Sequence, residues 1–184
     1  MNEDEFVEKV TQLMRGVLPE QFVIRQKANL YYQIVADNNL NITADLKNPK
    51  RGDSAFQTDL CVFLKKNDIL LPKIVFEFKG RDITTHDIIT YSNKAKRHKQ
   101  IYPYLRYGLI SYERSVIPKR FFIHNEGLDF YLATKEYTKN LQDVLGKLIK
   151  EELKISDKLE STIFGSKKYD FYRTNIEFEI FGER

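Results

Sequence analysis

An aspartate and a glutamate stand alone among apolar residues in two neighbouring stretches of the chain. The first stretch, FQTDLCVFLKK, contains Asp59; the second, KIVFEFKG, contains Glu77 and, two positions later, Lys79. Their β-branched and aromatic residues predict two strands, and the polar KND between them predicts a hairpin-like connection. Because side chains alternate along a strand, Glu77 and Lys79 point to the same face as Val75.

The spacing predicts that the two acids face each other. With antiparallel pairing centred on residue 68, Asp59 and Glu77 are directly opposed, and their Cβ atoms lie about 4.5–5.5 Å apart. Two carboxylates this close repel each other, and a hard divalent cation gives a reason to keep them. Mg²⁺ binds one or two carboxylates together with waters and substrate phosphate. Lys79 would then orient or help to deprotonate an attacking water and offset phosphate charge.

A plainer interpretation of the same residues is open. Glu77 and Lys79 would lie at a solvated strand end, since Gly80 and polar residues follow, or they would simply pair with each other. The triplet EFK is short and common, so it does not decide the matter by itself. Asp59 favours the chemical interpretation, because it is a second lone acid at the matching distance.

Basic charge is concentrated in one part of the chain. From Arg81 to Arg120 there are nine Lys or Arg against three Asp or Glu, whereas the whole chain has a net charge of +4. Such a stretch attracts a polyanion, although charge runs also occur on ordinary solvated faces. The residues expected to contact phosphates are Lys96, Arg97 and Lys99 in this stretch, with Lys50 and Arg51 in the loop KNPKRGDS.

Several elements must position these residues. Helical periodicity predicts helices over 3–18, from about Thr84 or Thr85 to just before Pro103, and over 138–154. Besides the two central strands, alternation and β-propensity predict strands at QFVIRQ, LYYQIVA, YGLISYE, RFFIHN, LDFYLAT and NIEFEIF. This order predicts an α/β or α+β fold with a mixed central sheet, in a single domain spanning residues 1–184.

The predicted helix after Lys79 carries an apolar stripe that favours packing over chemistry. Its members recur at helical spacing and are Ile88, Tyr91, Ala95, His98 and Tyr102. The three histidines lack the spacing of a zinc site, and the single cysteine, Cys61, is expected to be a core residue. The chain has neither a glycine-rich phosphate loop nor GxSxG.

Asp59 followed by Glu77-Phe78-Lys79 on the next strand resembles the PD-(D/E)xK nuclease superfamily. The resemblance covers about residues 3–113 and includes the helix–strand–strand–strand–helix–strand order; Thr58 stands where the family name has proline. It implies hydrolysis of DNA phosphodiesters assisted by Mg²⁺, with Mn²⁺ as a substitute. Asp59 and Glu77 would be the metal ligands and Lys79 would act at the water.

The resemblance also implies further site residues and a biological role. Lys94 would reach the site from the helix after Lys79, and Glu5 or Glu8 could add a carboxylate from the first helix. The expected function is that of a type II restriction endonuclease acting on double-stranded DNA as a homodimer. The alternatives are a recombination or repair nuclease of the resolvase kind and a nucleic-acid-binding module without activity. The acidic N-terminus, the single cysteine and the lack of a long apolar run predict a cytoplasmic protein without a membrane span.

Overall fold

The chain folds into a mixed sheet with helices on both faces. The computed structural model describes residues 2–52, 54–80, 82–112, 116–134 and 140–178. In chain order the elements are α1 Glu3–Arg15, β1 Phe22–Gln26, β2 Asn29–Tyr31, β3 Ala55–Gln57, β4 Leu60–Lys66, β5 Ile69–Lys79, α2 Thr85–Ile101, β6 Arg106–Ser111, α3 Lys119–His124, β7 Phe130–Ala133 and α4 Leu141–Phe164. The predicted fold class, α/β or α+β with a mixed central sheet, is therefore confirmed.

The main sheet has five strands in the order β1-β4-β5-β6-β7. Strand β4 runs antiparallel to both of its neighbours, β1 and β5. Strands β5, β6 and β7 run parallel to one another. Strands β2 and β3 form a separate two-stranded sheet. Without β2 and β3, the first six elements in chain order are α1, β1, β4, β5, α2 and β6, that is, a helix, three strands, a helix and a strand.

The alternation of β5 divides the core into two layers. Ile74, Phe76 and Phe78 pack into the cluster that includes α1 and α4. Val75 packs on the opposite face, in the cluster that includes Ile88 and other residues of α2. Glu77 and Lys79 therefore belong to the α2 side of the sheet by position in the strand, as the sequence predicts.

A bulge in β5 anchors the far helix. Val62 pairs with Ile74 and Phe63 with Pro72, so Lys73 is an extra residue without a counterpart in β4. Its side chain is fully buried, and its ammonium donates to Asp157 at 2.8 Å and to Glu160, both on α4. Both carboxylates lie in the part of α4 beyond residue 154, where the apolar stripe no longer predicts a helix. Their contacts with Lys73 stabilise this part of α4, which continues to Phe164.

Several sequence-based strand boundaries are wrong. RFFIHN is not a strand: Lys119–His124 form α3, a short helix that begins after Pro118 and buries only Phe121. LYYQIVA is extended only to Tyr31, and FQTDLCVFLKK is interrupted between β3 and β4. The expected C-terminal strand, NIEFEIF, is irregular and exposed over residues 175–178. Its last three residues, Glu113 of YGLISYE and residues 138–139 of the expected third helix lie outside the described residues.

None of the helices in the described ranges is long and apolar enough to cross a membrane.

Candidate functional site

Asp59 and Glu77 meet where β4 begins and β5 approaches its end. Leu60 pairs with Phe76 and Cys61 with Val75, so one further step along the same register sets Asp59 opposite Glu77. Asp59 lies just before β4, and its Oδ2 accepts a hydrogen bond from the backbone N–H of Phe78 at 2.8 Å. This is the register that the sequence predicts.

Glu77 is a buried carboxylate with incomplete charge compensation. Only 2% of the residue is exposed, so the interpretation of a solvated strand end is wrong. Its Oε1 accepts a hydrogen bond from the hydroxyl of Tyr107 on β6. Within the described residues its ion-pair partner is Lys94 on α2, whose Nζ lies 3.8 Å from the same oxygen.

The surroundings of Glu77 disfavour its charged form. Burial and, after it, the negative charge of Asp59 raise the pKa of Glu77 to about 8, although Lys94 and the hydrogen bond from Tyr107 act in the opposite direction. At neutral pH and without a bound cation, the Glu77 carboxyl therefore carries a proton. A cation between the two acids would take the place of that proton and stabilise both carboxylates.

Lys79 does not pair with Glu77. Its Nζ lies 3.0 Å from Oδ1 of Asp87, and its side chain is partly exposed. Asp87 also closes the capping box of α2, since its Oδ2 accepts from the backbone N–H and the hydroxyl of Thr84. Burial raises the pKa of Asp87, but these hydrogen bonds and Lys79 outweigh it and lower the pKa overall. The N-terminus of α2 thus holds the ammonium of Lys79.

A glutamate that is not among the predicted site residues, Glu3 at the start of α1, interacts electrostatically with Asp59. Partial burial, followed by the charge of Asp59, raises the pKa of Glu3, and Lys79 is close enough to oppose this rise. The expected first-helix residues have other contacts: Glu5 closes the capping box with Asn2, and Glu8 accepts from Gln12 and Gln26.

Helical spacing could have identified Glu3. Val7 and Val10 are buried residues of α1, and Glu3 stands four and seven positions before them. It therefore lies on the same face of the helix as the buried residues, at the exposed first turn, whereas Glu5 points to the opposite side.

The donor set fits a hard cation. Asp59 and Glu77 offer carboxylate oxygens from opposed backbone positions, and Mg²⁺ needs only one or two carboxylates beside waters and phosphate oxygens. Within the described part of the chain no group of three or more His, Cys, Asp or Glu side chains has an arrangement that could hold a metal ion. The two acids would hold Mg²⁺, and Glu3 is close enough to Asp59 for the charge of Asp59 to raise the pKa of Glu3.

The basic residues expected to contact phosphates differ in their surroundings. Lys96 pairs with Glu126 at 2.9 Å, and Lys99 pairs with Asp129 at 2.7 Å. Arg97 points elsewhere and lies over the ring of Tyr32. The loop residues Lys50 and Arg51 are exposed.

Two further titratable residues are structural. His98 is fully buried, and burial lowers its pKa to about 4, so the imidazole is neutral at physiological pH. Its Nδ1 lies 3.0 Å from the backbone oxygen of Tyr31. Burial also raises the pKa of Cys61, which packs among the apolar residues of the α2 side. Neither residue is placed as a nucleophile or proton carrier.

Comparison with protein-family models, curated proteins and solved structures found no match to this chain.

Proposed function

We propose that this protein is a Mg²⁺-dependent endonuclease that hydrolyses phosphodiester bonds of double-stranded DNA, in the manner of a type II restriction enzyme. The observation that carries the proposal is the buried carboxyl of Glu77, opposed by Asp59, with the ammonium of Lys94 3.8 Å away. Ionising this carboxyl in its buried position costs several kcal/mol, by order of magnitude, because Lys94 and the hydrogen bond from Tyr107 offset only part of the lost solvation. Such a cost is typical of functional sites rather than of structural ion pairs.

Each residue has a role that follows from its position. Asp59 and Glu77 would hold the cation, which would polarise the phosphate and lower the pKa of a bound water. Lys79 lies on the same face of β5 as Glu77 and is held by Asp87; it would orient the water that forms the new P–O bond as the bond to the leaving oxygen breaks. Lys94 is near enough to Glu77 to offset the charge of the phosphate. The resemblance to the PD-(D/E)xK superfamily and the order of the first elements support the same assignment.

Partner and location belong to the proposal too. A homodimer is expected because enzymes that recognise palindromic sites are usually symmetric. A cytoplasmic location is expected from the single cysteine, which is buried.

The test is cleavage of supercoiled plasmid by the full chain with Mg²⁺, with Mn²⁺ and with excess chelator. We expect nicked or linear product with either metal and none in chelator or in an Asp59→Asn variant. Discrete fragments from linear duplex indicate a restriction enzyme, and cleavage of branched junctions alone indicates a recombination or repair nuclease. DNA binding without cleavage under every metal condition contradicts the proposal and favours a binding module.

A further inference from the structure

Two stacked aromatic rings hold a row of cations that leads out of the carboxylate site. Tyr32, just after β2, and Phe56 of β3 stack with ring centroids 4.1 Å apart. The ammonium of Lys94 lies 5.5 Å from the centroid of Phe56, and the guanidinium carbon of Arg97 lies 5.6 Å from the centroid of Tyr32. The rings therefore hold two cations of α2, three positions apart on one face of the helix, and the inner one reaches Glu77.

The row continues onto the long loop between β2 and β3. Arg97 also approaches Gln33, with Nη1 3.5 Å from Oε1. Gln33 and Lys50 line the same shallow cavity, together with Tyr31 and Ala55. Lys50 is exposed. Positive charge thus extends from the site, along Lys94 and Arg97, to Lys50.

The opposite side of α2 has basic residues in a different environment. Lys96 and Lys99 lie about 200° around the helix from Lys94 and Arg97 respectively. Both pair with carboxylates, Glu126 and Asp129. A phosphate would have to compete with those carboxylates for the ammonium groups. A cation held over an aromatic ring keeps its full charge. Within the described residues, the polar and ring contacts of Arg97 are with the neutral ring of Tyr32 and the neutral amide of Gln33.

We propose that the nucleic-acid backbone reaches the site along the face that carries Lys94, Arg97 and Lys50, and not along the face that carries Lys96 and Lys99. The partner is a phosphodiester strand of duplex DNA, because a row of cations that ends at a cation-binding carboxylate pair suits successive phosphates that lead to the reacting one. This inference rests on the proposed function and adds the direction of approach to it.

The test is the salt dependence of duplex binding by the full chain, measured by fluorescence anisotropy with Ca²⁺ in place of Mg²⁺. Each lost phosphate contact lowers the slope of log affinity against log salt by about 0.9. An Arg97→Ala/Lys50→Ala double variant is expected to lose about two slope units, and Arg97→Lys/Lys50→Arg is expected to keep the wild-type slope. Lys96→Ala is the matched control on the same helix and is expected to leave the slope unchanged.

The outcomes separate this inference from the proposed function. A double variant with the wild-type slope, whether or not Lys96→Ala loses slope, overturns the direction of approach and leaves the endonuclease proposal standing. A wild-type protein that neither binds duplex DNA nor cuts plasmid overturns both. Thermal melts of all variants identify any loss of affinity that comes from unfolding, and the charge-keeping variant then tests the contact in a folded protein.

Discussion

The environment of Glu77 is fixed by residues that no local sequence signal identifies. Tyr107 stands on β6 opposite Val75 of β5, and its hydroxyl reaches across to Glu77. Its ring stacks on the imidazole of His98, with centroids 5.6 Å apart. The sequence places Asp59, Glu77 and Lys79 together through alternation and a short turn. Tyr107 is thirty positions from Glu77, and only the parallel pairing of β5 with β6 brings them together.

Tyr107 positions one oxygen of Glu77, whose carboxyl also shares a hydrogen bond with Asp59 that a bound cation would replace. Replacing Tyr107 with Phe removes the hydroxyl and keeps the packed ring, so Mg²⁺ affinity is expected to fall about 10–100-fold, as for other groups that orient metal ligands. The plateau cleavage rate should recover at high Mg²⁺. Calorimetric titration with Ca²⁺ and Mg²⁺ measures the affinity. Tyr131→Phe is the control, since its hydroxyl donates to the neutral Ser111 at 3.0 Å. Equal metal affinity in the two variants would refute the positioning role.

At the scale of elements, the predictable parts are those in which local pattern and tertiary packing agree. Alternation predicts β4 and β5 and their register at the end that carries Asp59 and Glu77, but the bulge at Lys73 shifts the pairing by one residue towards the turn. Thr84 and Pro103 delimit α2 to within two residues. The failures have particular causes. RFFIHN is short enough to suit either a strand or a helix turn, and Pro118 starts it as a helix. The contact of buried Lys73 with Asp157 stabilises the last part of α4, and an apolar stripe does not reveal such a contact between distant residues.

In the proposed site the N-terminus of α2 would combine a structural and a chemical role, and two substitutions can separate them. Thr84→Ala removes the cap and is expected to lower the free energy of unfolding by about 1 kcal/mol while leaving the cleavage rate at saturating Mg²⁺ nearly unchanged. Asp87→Ala loses the cap and also releases Lys79, so its cleavage rate should fall as well. Urea melts and single-turnover rates measure the two effects. Matching rates in both variants would mean that Asp87 does not position Lys79.

At the scale of the whole molecule, the buried charged groups on the two faces of the sheet are compensated to different degrees. On the α4 side, Lys73 is fully buried and has two carboxylate partners, Asp157 and Glu160. On the α2 side, Glu77 is nearly as deeply buried, and among the residues that the structure describes its ion-pair partner is Lys94 alone, at 3.8 Å. The first arrangement completes an ion pair and holds a helix. The second leaves a carboxylate whose charged form needs an additional cation, which is why the chemistry is assigned to this face.

That difference predicts an unusual dependence of stability on pH. The pKa of Glu77 is about 8 in the folded protein against 4.5 as its ordinary value, so the folded state holds a proton that the unfolded state has released. The free energy of unfolding in chelator should therefore fall as pH rises from 6.5 to 8, by at most about 1.4 kcal/mol per pH unit. His98 does not obscure this window: with a pKa lowered from 6.5 to about 4, its contribution to stability is present above pH 6.5 and lost only on acidification.

Glu77→Gln removes the titrating group and keeps a side chain of similar shape, so its free energy of unfolding is expected to change less between pH 6.5 and 8. Saturating Mg²⁺ should also weaken or reverse the fall for the wild type, because the cation binds the deprotonated carboxyl and replaces its proton. Denaturant melts at several pH values, with chelator and with Mg²⁺, measure both effects. Parallel curves for the wild type and Glu77→Gln in chelator would mean that Glu77 is ionised in the metal-free protein, and a missing response to Mg²⁺ would remove the cation from the site.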